Sequence, residues 1–264
     1  MHIELKDRKA VVTGSTAGIG RAIAEGLARA GATVVINGRT QERVDAALRE
    51  LRALLPEAEL TGVVADIATA AGCSALFAHA PDADILVNNA GTAHLNNFFD
   101  QGDDEWLDLF QLNVMSGVRA ARHYVPGMTA RGWGRVVFIS SESGLNIPKE
   151  MIDYGVTKTA NLAVSRGLAE LVAGTGVTVN AVLPGPTNSE ILSNWMKSTA
   201  QEQGITQEQA EQQFLKNARP TTLINRFATT DEVANMVVYA CSEQASATTG
   251  AALRVDGGVV RSIA

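Results

Sequence analysis

Short apolar runs alternate with longer stretches of helical period along almost the whole chain. Lys9-Ala10-Val11-Val12-Thr13 reads as a buried strand, and a glycine turn leads from it into a helix over 19–28 that stops at Gly31. Thr33-Val34-Val35-Ile36-Asn37 is a second strand. The next helix, over 41–55, sets Val44, Leu48, Leu51 and Leu55 on one face and ends at Pro56. Residues 60–65 form a third strand, weakened by Gly62, with a short helix to about His79 after it. Strands over 84–88, 135–140 and 177–183 follow, the last stopped by Pro184-Gly185. Between the first two lies a long helical stretch from about Asp104 to Ala130, in which Pro126-Gly127 predicts a kink. Between the second and third lies a helix carrying Tyr154. Thr229-Thr230-Asp231-Glu232 has the pattern of a capping box opening a last helix to about Ser242, and residues 250–255 form a closing strand.

Strands apolar on both faces and separated by helices predict an α/β fold. It is a doubly wound Rossmann-type domain, with a seven-stranded parallel sheet, helices on both faces and right-handed crossovers. Without repeats, low-complexity tracts or linkers, residues 1–264 read as one domain. From Pro186 to about Leu223 the composition turns to Gln, Glu, Lys and Ser, too hydrophilic to build a core, with Trp195, Met196, Phe214 and Leu215 spaced among them. This predicts a helical insertion over 186–223 that closes these large apolar groups over a substrate, opposite Leu145, Met151 and Ile152.

Composition narrows the class. At 264 residues, 46% hydrophobic and 19% charged, the chain can bury a substantial core. A net charge of −6 argues against a nucleic-acid partner. No apolar run approaches the roughly 20 residues of a membrane span, and the charged start lacks the apolar centre of a signal peptide. Cys73 and Cys241 are far apart, and His2, His79, His94 and His123 are scattered, so neither a disulfide framework nor a metal site is expected. A cytoplasmic protein is the expectation.

Candidate chemistry centres on Tyr154-Gly155-Val156-Thr157-Lys158, which places a phenol and an ammonium one helical turn apart. A phenol with a pKa near 10 is a poor base at neutral pH. The ammonium, together with a positively charged ring nearby, would draw that pKa towards the working range. Thr13-Gly14-Ser15-Thr16-Ala17-Gly18-Ile19-Gly20 sits where the first strand becomes the first helix, the place where an open parallel sheet holds phosphates. Its GxxxGxG spacing differs from the general GxGxxG fingerprint, and a turn that only packs a helix on the sheet has the same pattern.

TGSTAGIG, Asn88-Asn89-Ala90-Gly91 at the fourth strand's end, Ser141 thirteen residues before Tyr154, YxxxK, Pro184-Gly185 and Val255-Asp256-Gly257-Gly258 together resemble the short-chain dehydrogenase/reductase family over essentially the whole chain. The resemblance implies that Tyr154 is the acid/base, that Lys158 lowers its pKa and holds the nicotinamide ribose, and that Ser141 binds the substrate oxygen. Ser140 and Ser143 stand nearby as alternatives. Asn113 matches the asparagine that positions a relay water with Lys158; a polar residue satisfying a kinked helix reads the same way. Gly14, Ser15, Thr16, Gly18, Ile19 and Gly20 would cradle the pyrophosphate. Asp66, with Ile67, matches the residue that accepts from the adenine amino group, although alone it reads as a helix N-cap. Asn88, Ala90 and Gly91 would lie beside the adenosine ribose, with Asn88 also stabilising the central sheet. Pro184, Gly185 and Thr187 match the nicotinamide carboxamide site.

The implied function is NAD(P)-dependent hydride transfer between the nicotinamide and a carbonyl or secondary alcohol. The expected subclass is a 3-oxoacyl reductase acting on carrier-protein or coenzyme A thioesters. The alternatives are a sugar, polyol or small cyclic alcohol dehydrogenase, and a catalytically silent sensor or structural subunit. After the second strand, Ile36-Asn37-Gly38-Arg39-Thr40 has no acid until Glu42, so Asn37 could bond a ribose, Gly38 leaves room, and Arg39 offers a fork to a 2′-phosphate. NADP(H) is expected over NAD(H), although Ala17 lacks the basic side chain of many NADP-preferring relatives, and Arg39 also reads as a solvated helix-start residue. The resemblance further implies a homotetramer or dimer, built on the helices near Asp104 and Tyr154 and on the closing strand with Val259-Val260. Val118, Tyr124, Leu168 and Leu171 would supply apolar surface to it.

Overall fold

Alternate residues of each central strand serve two different cores. In the computed structural model, which describes residues 2–263, Val12, Ile36, Val87, Val137 and Val182 point to one face of the sheet and Val11, Val35, Leu86, Val136 and Val179 to the other. Each such side chain, once fully buried, stabilises the fold by about 1.5–3 kcal/mol. Seven strands result: β1 (Lys9–Val12), β2 (Thr33–Gly38), β3 (Leu60–Val64), β4 (Ile85–Asn88), β5 (Gly134–Ile139), β6 (Val177–Pro184) and β7 (Ala252–Val255). They pair in parallel throughout, in the order β3-β2-β1-β4-β5-β6-β7.

The first face is covered by α1 (Gly18–Arg29), α2 (Gln41–Leu54) and α9 (Thr230–Ala240), through Ile23, Leu27, Val44, Leu51, Val233 and Val237. The second is covered by α3 (Ala70–His79), α5 (Ser116–Arg131) and α6 (Ile152–Leu171), through Cys73, Leu76, Ala120, Tyr124, Met128 and Ala169. The strand order reverses between β1 and β4, opening a crevice beyond their carboxyl ends where an open parallel sheet binds ligands. The predicted capping box is present: Glu232 N–H donates to Thr229 Oγ1 at 3.1 Å, and Thr229 N–H to Glu232 Oε2 at 2.8 Å.

Three expectations are corrected. The chain does not leave the helix at Pro126-Gly127, since α5 runs through Pro126 to Arg131. Its irregularity is a π-helical turn over Gln111–Met115, joining α4 (Asp103–Phe110) to α5. The polar segment after β6 does build a core. Its helices α7 (Glu190–Gln203) and α8 (Gln207–Ala218) bury Met196, Ala200, Ala210 and Leu215 with Phe227, while Trp195 and Phe214 are partly buried around them. Tyr124 is 2% exposed and donates to the Ala80 carbonyl at 2.8 Å, so it belongs to the interior and offers no outer apolar surface. No helix among the described residues is long and apolar enough to cross a membrane.

Candidate active site and cofactor cleft

The turn after β1 is shaped by two close approaches. Gly14 has φ +61°, and a Cβ there would stand 2.9 Å from Ala90 Cα; a Cβ on Gly20 would lie 2.4 Å from Asn89 Nδ2. Asn89 Nδ2 donates to the Thr13 and Gly14 carbonyls at 2.9 and 3.0 Å, tying β4's end to the turn. Helix α1 then starts at Gly18 with no side-chain cap and no acid in its first turn. Its leading amides and the positive end of its dipole therefore face the crevice, a setting suited to a pyrophosphate. Thr16, Gly18 and Ile19 are partly exposed there. Ser15 stands behind the turn: its N–H donates to the Asn37 carbonyl at 2.9 Å, and its hydroxyl donates to the Val12 carbonyl and accepts from Asn37 N–H. Its polar groups hold the loop and are not offered to a ligand.

At the end of β2 the structure redistributes the roles. Asn37 is 1% exposed; its Oδ1 accepts from Gly14 N–H at 3.1 Å and its Nδ2 donates to the Ala65 carbonyl at 3.1 Å. It cannot also bond a ribose. The room expected beside Gly38 is filled by Thr16, whose Cγ2 lies 2.5 Å from where a Cβ on Gly38 would stand. Arg39 is exposed and makes no ion pair or hydrogen bond among the described residues. Asp66 is exposed and accepts from Ala68 N–H at 3.2 Å, with Ile67 buried next to it; the N-cap of α3 is Thr69, so the capping reading of Asp66 falls away. Asn88 is buried and neither side-chain atom has a partner, so the bonding that ties β4's end to the turn comes from Asn89. On the far side, Pro184 ends β6, a Cβ on Gly185 would stand 2.6 Å from the Asp256 carbonyl oxygen, and Thr187 Oγ1 donates to the Gly185 carbonyl at 2.9 Å.

Around Tyr154 the candidates converge. The Ser141 side chain is close enough to Tyr154 to favour its phenolate, and Ser141 Oγ accepts from Ser143 N–H at 3.1 Å. The other two serines are committed elsewhere: Ser140 Oγ donates to the Lys158 carbonyl at 2.8 Å, and Ser143 Oγ to Glu142 Oε1 at 3.1 Å. Lys158 Nζ donates to the Ile139 carbonyl at 2.9 Å and lies 5.4 Å from the Tyr154 ring centre. A Cβ placed on Gly91 would lie 3.1 Å from Asn113 Oδ1 and 3.4 Å from Lys158 Nζ, so these groups meet beside Ala90-Gly91. Asn113 is held on every side within the π-helical turn. Its Oδ1 accepts from Thr92 N–H, its Nδ2 donates to the Thr92 carbonyl and Thr157 Oγ1, and its own carbonyl accepts from Asn161 Nδ2 at 3.0 Å.

Electrostatics in the protein alone run against the expectation for the tyrosine. Burial pushes the Tyr154 pKa up to about 12, the Ser141 hydrogen bond opposes that rise, and the Glu142 carboxylate adds to it. Lys158 is pulled down to about 8 by burial. An ammonium that is itself desolvated, with its proton donated to Ile139, does not by itself lower the phenol.

Two residues absent from the sequence reading complete this wall. Glu142, 3% exposed, accepts from Arg219 Nε at 2.6 Å, and burial raises its pKa despite that partner. An acid directly after Ser141 was the available signal, but no spacing rule links it to an arginine 77 residues away.

A family model described as short chain dehydrogenase matches residues 8–200. Oxidoreductase YvaG of Bacillus subtilis (strain 168) is 45% identical over 263 residues, covering all of both chains. The 3-oxoacyl-[acyl-carrier-protein] reductase FabG of Aquifex aeolicus (strain VF5) is 33% identical, over 98% of this chain and 100% of its own. The structure of L-sorbose reductase from Gluconobacter frateurii, complexed with NADPH and L-sorbose, superposes with a TM-score of 0.93 at 34% identity and full coverage of both chains.

Proposed function

This chain belongs to the short-chain dehydrogenase family and is an NAD(P)-dependent oxidoreductase, and from that premise we propose that it reduces a small polar ketone with NADP(H) preferred over NAD(H). The observation that carries the catalytic reading is the convergence of Ser141, Tyr154 and Lys158, the lysine one turn along the same helix with Nζ 5.4 Å from the Tyr154 ring centre. A nicotinamide held in the cleft would supply the hydride in reduction and accept it in oxidation. Ser141 holds the substrate oxygen and Tyr154 gives it a proton in reduction, or takes one in oxidation. Lys158 holds the nicotinamide ribose with Tyr154, and Asn113 fixes the floor of the site beside Gly91.

Around the cofactor, the amides of Gly18, Ile19 and Gly20 would hold the pyrophosphate, helped by Gly14 and Thr16. Asp66 and Ile67 would flank the adenine, Asn88, Ala90 and Gly91 the ribose, and Pro184, Gly185 and Thr187 the carboxamide. The 2′-phosphate falls to Arg39, which is exposed and has no competing partner. The absence of an acid at the end of β2, where Asn37 and Gly38 stand, supports the same preference.

The polar wall of Glu142, Ser143 and Arg219 beside Ser141 supports a hydroxylated ketone of the ketose kind, in keeping with the L-sorbose complex of the structural relative. A 3-oxoacyl thioester is the second reading, supported by the 33% identity to FabG. Residues 186–223 are the segment that covers substrate. A homotetramer in the cytoplasm completes the reading.

A panel of ketoses, polyols and 3-oxoacyl thioesters, assayed with NADPH and NADH, tests this. NADPH should give the higher kcat/KM, and Arg39→Ala should cut the NADPH:NADH ratio roughly 10-fold or more, as expected for a charge-assisted bond of about 1.5–3 kcal/mol. An unchanged ratio removes Arg39 from the site, and cofactor binding with no turnover of any compound points to a sensor.

A further inference from the structure

Among the described residues, every ion pair but one has a partner with more than a fifth of its side chain exposed. The exception is Arg219–Glu142, with side chains 7% and 3% exposed and Nε 2.6 Å from Oε1. Removing two charges from water is costly, and apolar groups of the same volume would often stabilise a fold as well or better. This pair is also incompletely satisfied, since Glu142 Oε2 is buried with no partner. Stability alone therefore does not account for it.

Its position does. Arg219 follows directly after α8, at the end of the helical pair above the site. Its guanidinium lies 5.8 Å from the Phe214 ring, holds its own helix through the Ala218 carbonyl at 2.8 Å, and reaches down to the catalytic loop. There Nε meets Glu142, Nη2 lies 3.5 Å from Ser143 Oγ, and Nη1 lies 3.8 Å from Glu150. Ser143 passes the contact on: its hydroxyl donates to Glu142 Oε1 and its N–H donates to Ser141 Oγ at 3.1 Å. One side chain from the α7–α8 segment thus grips both ends of the 142–150 loop, one hydrogen bond away from the serine that meets Tyr154.

We propose that Arg219 and Glu142 are a positioning pair that locks the α7–α8 segment onto the catalytic loop and so sets both substrate retention and the orientation of the Ser141 hydroxyl. This rests on the reading of Ser141 and residues 186–223 given above. The lock holds for an electrostatic reason. With Arg219 withdrawn, Glu142 would be an unpaired buried carboxylate that must either hydrate or take up a proton, so lifting the segment is costly.

The decisive variant is the double substitution Glu142→Gln with Arg219→Met, which removes the lock without stranding a charge. Hydrogen exchange read by mass spectrometry needs no substrate. Amides over 190–218 should exchange at least about tenfold faster, while those of β4, β5 and β6 keep their wild-type rates and NADPH binds within about twofold. With L-sorbose and NADPH as the kinetic probe, KM should rise about tenfold or more with a smaller fall in kcat, and Arg219→Lys should recover part of it. Unchanged exchange over 190–218 overturns the lock. So does faster exchange throughout the sheet with a loss of thermal midpoint that Arg219→Lys does not restore, because the pair would then be part of the general packing. If wild type leaves L-sorbose untouched, the substrate reading fails, and the exchange result still decides the lock.

Discussion

Tyr154 and Lys158 sit in a setting that holds the first protonated and loosens the proton of the second. The phenol's pKa of about 12 suits a group that donates a proton, the role proposed for it in reduction. Lys158, at about 8, is charged at neutral pH and neutral in mild alkali. The sign for binding follows. An anionic cofactor favours the ammonium, so affinity is full below about pH 8 and falls as pH rises through that value, while binding in turn raises the lysine's pKa. NADPH titrations from about pH 6.5 to 9.5 should show this loss in wild type and in Tyr154→Phe alike, but not in Lys158→Met. At neutral pH, Tyr154→Phe should bind NADPH as wild type does and lose ~10²–10⁴-fold in kcat, because the ring packs but carries no proton. Near-native turnover in that variant would assign the proton step to another group.

At the scale of elements, one local irregularity and one helical pair shape the candidate site. The π-helical turn over Gln111–Met115 brings Asn113 against Thr92, Thr157 and Asn161; π turns of this kind recur at functional sites. The helical pair α7–α8 holds itself together with a small apolar core, to which Met196 and Leu215 belong. Of the four large groups expected to close over a substrate, Trp195 and Phe214 are the two left partly buried at its edge. Trp195→Ala should therefore raise KM about tenfold while lowering the thermal midpoint by only a few degrees, since a change of 1 kcal/mol moves a domain of this size by about 2–4 °C. A large fall in midpoint with KM unchanged would assign Trp195 to the core of the pair instead.

At the scale of the whole molecule, the seven-stranded sheet leaves apolar side chains outside both cores. Leu107 on α4 is 60% exposed and Leu171 on α6 is 80% exposed, both on the helices expected to form an interface. Strand β7 forms one edge of the sheet, partly exposed along its length. A sheet edge and an exposed apolar helix face are each a surface that a second copy can cover. Light scattering at micromolar concentration should give four times the 27.8 kDa protomer mass, or twice it if one interface forms alone. A monomer would leave Leu107 and Leu171 as ordinary surface residues.

What the amino-acid order determined by itself is what depends on local periodicity and short spacing. Runs such as 9–13, 33–37 and 135–140 must be strands buried on two faces, because no other element hides so short and continuous an apolar stretch between helices. Tyr154 and Lys158 share a helix face because four residues make about one turn. The glycine turn, the Thr229 capping box and the acid-free end of β2 are legible for the same reason: each is written within a few consecutive residues. The tertiary structure decided what depends on residues far apart in the chain. Asn37 looked free for a ribose until Gly14 and Ala65 claimed both ends of its amide. Asn88 and Asn89 are indistinguishable as letters, and only packing shows that Asn89 holds the turn. Pro126 was the conspicuous helix breaker, yet the helix departs from regularity near Asn113, where side-chain hydrogen bonds to Thr92 and Thr157 and the Asn161 contact to the Asn113 carbonyl converge. Glu142 and Arg219 meet across 77 residues because the chain folds the α8 end back onto the loop after β5, and burial, which no spacing encodes, makes that contact matter.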